Sequence, residues 1–180
     1  MGEGELIEKL KQGNEDGFLQ LVNEYKQGLV SLCYSYTHDL YEAEDLSQEV
    51  FIAVYKNIKS FRGESSLKTY LYRIGINKCL SYKRKRGLKE FITDIFSGDE
   101  SVMEDIDEKN YIRQCIKDLS IDIRTPLVLY YYVGLTYSEI SKVLDVTERA
   151  VEGRIYRAKQ KLKAIMEKEG VVFWKEKALI

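Results

Sequence analysis

One proline in 180 residues, Pro126, is the strongest constraint on what this chain can fold into. Proline removes a helical donor and clashes with the preceding turn, so its near-absence leaves long helices almost uninterrupted. The apolar residues follow suit. Phe18, Leu21, Val22, Tyr25, Leu29, Leu32, Cys33 and Tyr36 recur at three- and four-residue spacing. That is one stripe of a helix about five turns long. A short amphipathic segment (Leu6, Ile7, Leu10) and a turn at 13–17 precede it. Asp39 with Glu42 reads as a capping box opening a second helix that buries Ala43, Leu46, Val50, Val54 and Ile58. After a break at 61–65, a third helix runs to about Arg86 with Leu67, Leu71 and Ile74 facing inward.

Periodicity fades over 87–107 and returns in four shorter segments, 109–119, 125–133, 138–144 and 148–168. The fold class expected is all-α, with two small helical lobes joined by an acidic linker. The boundaries expected are 1–88, 89–107 and 108–180, and the apolar tail at 171–174 is expected to pack on its own lobe.

Charge divides the chain in the same places. Segment 62–89 holds nine Lys/Arg against one acid, Glu64, a balance of +8. Segment 90–108 holds eight acids and no base, −8. Segment 142–163 holds seven bases against three acids, +4. Two basic segments flanking an acidic one suit two surfaces that face nucleic acid and a connector of another character. The connector reads as a flexible, soluble tether.

Other classes are disfavoured. No apolar run reaches the roughly 18 residues that span a bilayer, and the N-terminus lacks the basic and apolar regions of a signal peptide. Cys33, Cys79 and Cys115 are odd in number and never form C-x-x-C, as expected for buried thiols in a reducing cytoplasm. One histidine, no metal-ligand spacing, no nucleophile motif and no phosphate-binding loop argue against an enzyme; no metal and no cofactor are expected.

The sharpest local signal lies at 135–151. Thr136 and Glu139 form a capping box, and Ile140, Val143 and Leu144 give a short helix one buried face. A tight turn at Asp145-Val146 leads to Thr147, a second N-cap, and to a helix burying Val151, Ile155, Ala158, Leu162 and Ile165. Its outer side carries Arg149, Arg154, Arg157, Lys159 and Lys161, with Tyr156 nearby. This is a helix-turn-helix: the first helix locks the second so that its N-terminal residues reach base edges in the major groove. Gly153 leaves room for close backbone approach.

Two stretches resemble a known family. Ala43-Glu44-Asp45-Leu46-Ser47-Gln48-Glu49-Val50-Phe51, followed by the segment from Phe61 through Ile74, is similar to the most recognisable part of the extracytoplasmic-function sigma factors. The segment at 137–162 resembles their C-terminal promoter-reading region, and the likeness covers about residues 5 to 168.

The resemblance implies a factor that binds core RNA polymerase, through the clamp helices of the largest subunit and the flap, and directs promoter-specific initiation. It implies core-polymerase contacts at Asp45, Leu46, Gln48, Glu49, Phe51 and Tyr55. It assigns a melted −10-type element to Phe61, Arg62, Ser65, Ser66, Lys68, Thr69, Tyr70, Arg73, Asn77, Lys78, Lys83 and Arg84. It assigns a duplex −35-type element to Thr147, Glu148, Arg149, Ala150, Glu152, Gly153, Arg154, Tyr156, Arg157 and Lys161. An anti-sigma protein is a further implied partner, able to hold a cytoplasmic factor at the membrane without membrane insertion.

Departures from the family pattern fall at Tyr70, where tryptophan is frequent, and at Glu152, where lysine is common. The rival reading is an effector-responsive helix-turn-helix regulator acting as a dimer on palindromes. A helical interaction protein without DNA binding fits the two basic segments poorly.

Overall fold

A computed structural model describes residues 2–93 and 108–168. Within them the chain forms α1 (Glu3–Lys11), α2 (Glu15–Thr37), α3 (Leu40–Asn57), a 3-10 turn (Ile58–Ser60), α4 (Leu67–Thr93), α5 (Glu108–Lys117), α6 (Ile121–Tyr131), α7 (Tyr137–Leu144) and α8 (Glu148–Lys168). No strand occurs among the described residues, so the all-α expectation holds.

α2 is the spine. Asn14 caps its start by accepting from the Gly17 amide at 3.1 Å, and it ends at His38, whose φ of 59° lies in the left-handed region. Its stripe, Leu21, Tyr25, Leu29, Leu32, Cys33 and Tyr36, is buried among α1, α3 and α4. Gly75 on α4 makes that contact possible: a Cβ there would meet Leu29 Cδ1 at 3.1 Å and Leu32 Cδ2 at 3.4 Å. Cys33 and Cys79 are buried free thiols 3.9 Å apart across the α2–α4 seam.

α3 begins as expected, with Asp39 Oδ1 accepting from the Glu42 amide at 2.9 Å. Glu42 takes a different partner from the one a capping box requires. Its carboxylate takes hydrogen bonds from Tyr82 Oη and Arg86 Nη1, which fastens α4 to the start of α3. α4 also outruns its expected end at Arg86 and continues to Thr93. On it Leu67, Leu71, Tyr72, Ile76 and Cys79 are buried, while Ile74 is only half-buried. The linker beyond Thr93 and the apolar tail at 171–174 lie outside the described residues.

In the second lobe α6 starts at Ile121, four residues before the expected start, and carries Pro126 inside. The missing proline donor frees one carbonyl, that of Asp122 one turn back, and Asp122 is exposed to water. α8 has the expected bounds, and its last buried side chain is Met166 rather than Ile165, which is half-buried.

The two lobes pack on each other. α6 lies on α2, and α7 lies on α4. The buried Tyr36 hydroxyl meets Thr125 Oγ1 at 2.8 Å, and burial pushes that phenol up to about 12. Arg124 Nη1 donates to His38 Nε2 at 3.2 Å and to the Lys117 carbonyl at 2.7 Å. Lys68 Nζ donates to the Gly134 carbonyl at 3.1 Å.

Tyr36→Phe leaves the buried Thr125 hydroxyl without its partner and should cost about 1–2 kcal/mol in urea unfolding. The double change Tyr36→Phe/Thr125→Val should cost less than the sum of the single changes, because each single change already breaks the bond. Strict additivity would show that the hydroxyls do not couple the lobes.

Candidate nucleic-acid interface

The helix-turn-helix is built from α7 and α8. Both arms of the capping box are present: Glu139 N donates to Thr136 Oγ1 at 3.2 Å, and Thr136 N donates to Glu139 Oε2 at 2.8 Å. Burial alone would raise the Glu139 carboxyl, but the Thr136 amide and hydroxyl outweigh it and hold the group below the usual glutamate range. α7 stops at Asp145 in the left-handed region, φ 54°, where Asx residues are tolerated. The Val146 amide closes the turn on the Ser141 carbonyl at 3.0 Å. Thr147 Oγ1 then caps α8 by accepting from the Ala150 amide at 3.2 Å.

Val151, Ile155, Ala158, Leu162 and Met166 anchor α8 inward. The opposite side presents Thr147, Glu148, Arg149, Glu152, Tyr156, Arg157 and Lys161 to solvent, with Ala150, Gly153 and Arg154 half-buried. Tyr156 is 62% exposed, a large aromatic with no core role. At the start of α6, the Ser120 side chain chiefly holds the Asp122 carboxyl below its usual range. Arg154 and Arg157 add to that effect, so α8 feels one acid of its own lobe.

The N-terminal basic surface lies on α4 and the loop before it. Arg73, Asn77 and Arg84 recur on one exposed stripe of α4, with Lys83 beside them. Ser66 caps α4, its Oγ accepting from the Thr69 amide at 3.1 Å and meeting Thr69 Oγ1 at 2.9 Å. Thr69 itself is buried, and so is Phe61, whose ring lies 4.8 Å from that of half-buried Tyr70. Arg62 is exposed; Ser65, Ser66, Lys68 and Lys78 are half-buried. Lys68 is engaged by the Gly134 carbonyl, and Lys78 pairs with Glu49 at 2.9 Å.

On α3, Asp45, Gln48 and Glu49 are exposed as one acidic and amide face. Leu46 and Phe51 belong to the core, and Tyr55 donates to the Gly13 carbonyl at 3.2 Å while packing edge-on against Phe18. Residue typing alone misses two neighbours. Tyr41 (81% exposed) and Ile52 (48%) fall on the same stripe as Asp45 and Gln48, adding apolar area to the acidic face. The signal is present in the sequence, since both fall off the buried 43/46/50/54 pattern.

The family described as sigma-70 region 2 matches residues 21–88, and that described as sigma-70 region 4 matches residues 109–162. The RNA polymerase sigma-H factor of Pseudomonas aeruginosa is 33% identical over 173 residues, covering 87% of this chain and 89% of that protein. The ECF RNA polymerase sigma factor SigW of Bacillus subtilis is 32% identical, covering 87% and 92%.

Among solved structures, CnrH in complex with the cytosolic domain of CnrY aligns with a TM-score of 0.71 at 25% identity, covering 91% of this chain and 96% of that one. The sigma factor RpoE of Bartonella quintana, in complex with the anti-sigma factor NepR, aligns with a TM-score of 0.72 at 22% identity, covering 83% and 96%, and shows the shared fold.

Thr136→Ala should cost about 1 kcal/mol of stability at neutral pH in chemical denaturation. Because Glu139 titrates lower when folded, its share is present above the ordinary glutamate range and is lost as pH falls from there through the lower folded value. The gap between Thr136→Ala and the parent should therefore narrow on acidification. A gap that stays constant down to strong acid would contradict a charged box.

Proposed function

Because the chain belongs to the extracytoplasmic-function sigma factors, which direct RNA polymerase to promoters, we propose a division of that task among three of its surfaces. The observation that carries the proposal is the α7–α8 unit, with both caps formed and the first turn of α8 exposed. Its N-terminal residues, Arg149 foremost, read a −35-type element as duplex, and Arg157 and Lys161 hold phosphates. The α4 stripe with Arg62, Ser65 and Ser66 takes the melted −10-type strand. Cations there track the backbone, and Tyr70 supplies a π-face for an unstacked base. Asp45, Gln48 and Glu49, with Tyr41 and Ile52, dock on a basic helix pair of core polymerase. The proposed units are 1–88, 89–107 and 108–180.

The rival reading as an effector-responsive regulator falls. The region 2 match spans α2 to α4, beyond anything a helix-turn-helix alone accounts for. Sigma factors are transcription initiation factors rather than enzymes, so we assign no reaction; the energy for melting comes from base capture and polymerase contacts. No helix among the described residues is long and apolar enough to cross a membrane. The solved relatives CnrH and RpoE stand in complexes with CnrY and the anti-sigma factor NepR. That supports an anti-sigma partner here.

In the closed arrangement the Lys68 ammonium sits on Gly134 O and α7 packs on part of α4, so freeing Lys68 for a strand requires that contact to break.

Run-off transcription with core polymerase and a genomic promoter library tests the assignment: specific transcripts should appear only when factor and core enzyme are both present. Asp45→Lys with Glu49→Lys should weaken core binding in a pull-down without loss of helicity, since exposed helix charges contribute little to folding. Arg149→Ala should alter preference at particular upstream base pairs by roughly 1–3 kcal/mol, and Lys161→Ala should weaken all promoters about equally. Identical selectivity profiles for the last two would refute the division of roles on α8.

A further inference from the structure

Between the lobes lies a cavity of about 850 Å³, walled by α2 and α3 on one side and by α5 and α6 on the other. That size suits a small organic ligand. Its chemistry is two-sided. Val30, Ile116 and Val128 supply an apolar wall, while Arg124, His38 and Lys117 gather cationic and donor groups at one end.

Arg124 is the unusual member. It is 5% exposed, carries a charge it cannot shed, and among the described residues has no carboxylate within ion-pair distance. Its Nε is buried with no hydrogen-bond partner. Its Nη1 donates to His38 Nε2, which forces that imidazole to accept there and to carry its proton on Nδ1. Burial first, then the charges of Arg124, Lys117, Arg86 and Lys83, push His38 down to about 4. These four charges are all positive. Glu44 also lines the cavity, and Asp118 acts on Arg124 only from beyond ion-pair distance.

A buried guanidinium without a counter-ion is costly, and the cost is recovered when an anion arrives with the right geometry. Phobic walls next to that charge select against a bare inorganic ion, which would leave them in contact with water. We propose that this interlobe cavity is a binding site for a carboxylate carried on an apolar body, with Arg124 as the anchor and His38 and Lys117 as flanking donors. Since the walls come from both lobes, an occupant ties α2 to α5 and α6. The site stands on its own geometry and does not depend on the promoter-reading roles above.

His38 is the only histidine in the chain, so its imidazole NMR signals report on the cavity alone. The full-length protein is titrated with octanoate, with acetate as the head without the body, and with hexanol as the body without the head. Octanoate should shift the His38 signals saturably and raise its pKa by about one unit, as a new nearby anion must. Acetate should bind at least about tenfold more weakly, and hexanol should leave the pKa unmoved. Arg124→Gln should lose about tenfold or more in octanoate affinity, with Lys117→Gln as the second variant should Arg124→Gln fail to fold.

A helical peptide bearing one glutamate among leucines distinguishes the source. A response to the peptide alone assigns the site to a protein partner's side chain, and a response to octanoate assigns it to a free ligand. If neither probe moves His38, if acetate matches octanoate, or if both variants bind like the parent, the site does not exist.

Discussion

The burial of α2 on two sides is the constraint from which the rest of the molecule follows. Its stripe from Leu21 to Tyr36 forms the centre of the first lobe against α1, α3 and α4, and its C-terminal turn forms the seat of the second lobe through α6. Each fully buried leucine there contributes roughly 1.5–3 kcal/mol, so the position of α4 relative to α3 is tightly held. The exposed surfaces inherit that rigidity. Arg73, Asn77 and Arg84 stay aligned because Leu71, Gly75 and Cys79 lock the opposite face of α4 against α2.

The seam between the lobes joins their apolar residues into one continuous cluster and adds a phenol–threonine hydrogen bond, an arginine–histidine contact and one lysine on a carbonyl. Polar contacts of this sort contribute about 1 kcal/mol each when their groups can be rehydrated. The arrangement fits a factor whose two DNA-facing surfaces must be apart on a promoter and which keeps Lys68 engaged until then. Arg124, with no carboxylate partner among the described residues, lies at this seam beside the interlobe cavity.

Much of this was legible in the residues. The α7–α8 unit was readable because its two caps, Thr136–Glu139 and Thr147, are local side-chain-to-backbone bonds that depend only on sequence spacing. The buried faces of α2 and α3 were readable from periodicity, as was the family from the stretches at 43–51, 61–74 and 137–162. Periodicity tells which face is buried and not what buries it, so the α2–α6 seam left no trace in the pattern. For the same reason Thr69 and Phe61, assigned to DNA by resemblance, turn inward, and Glu42 spends its carboxylate on Tyr82 and Arg86. Periodicity places the end of α4 near Arg86 because 87–93 holds Gly87 and the first acid of the connector, Glu90, whereas the helix runs on to Thr93. A start at 125 would put Pro126 in the first turn, where proline is tolerated, whereas α6 starts at Ile121 and carries Pro126 inside.

The central claim is that the free factor holds its lobes closed over α2 and that promoter engagement separates them. Cysteines placed at Leu19 on α2 and Glu167 on α8, both exposed, can carry spin labels while the three native thiols stay buried. Pulsed electron–electron distance measurement on the free chain should give one narrow population. With core polymerase and promoter DNA that population should move to a longer distance. The same narrow distance in both states would contradict the account.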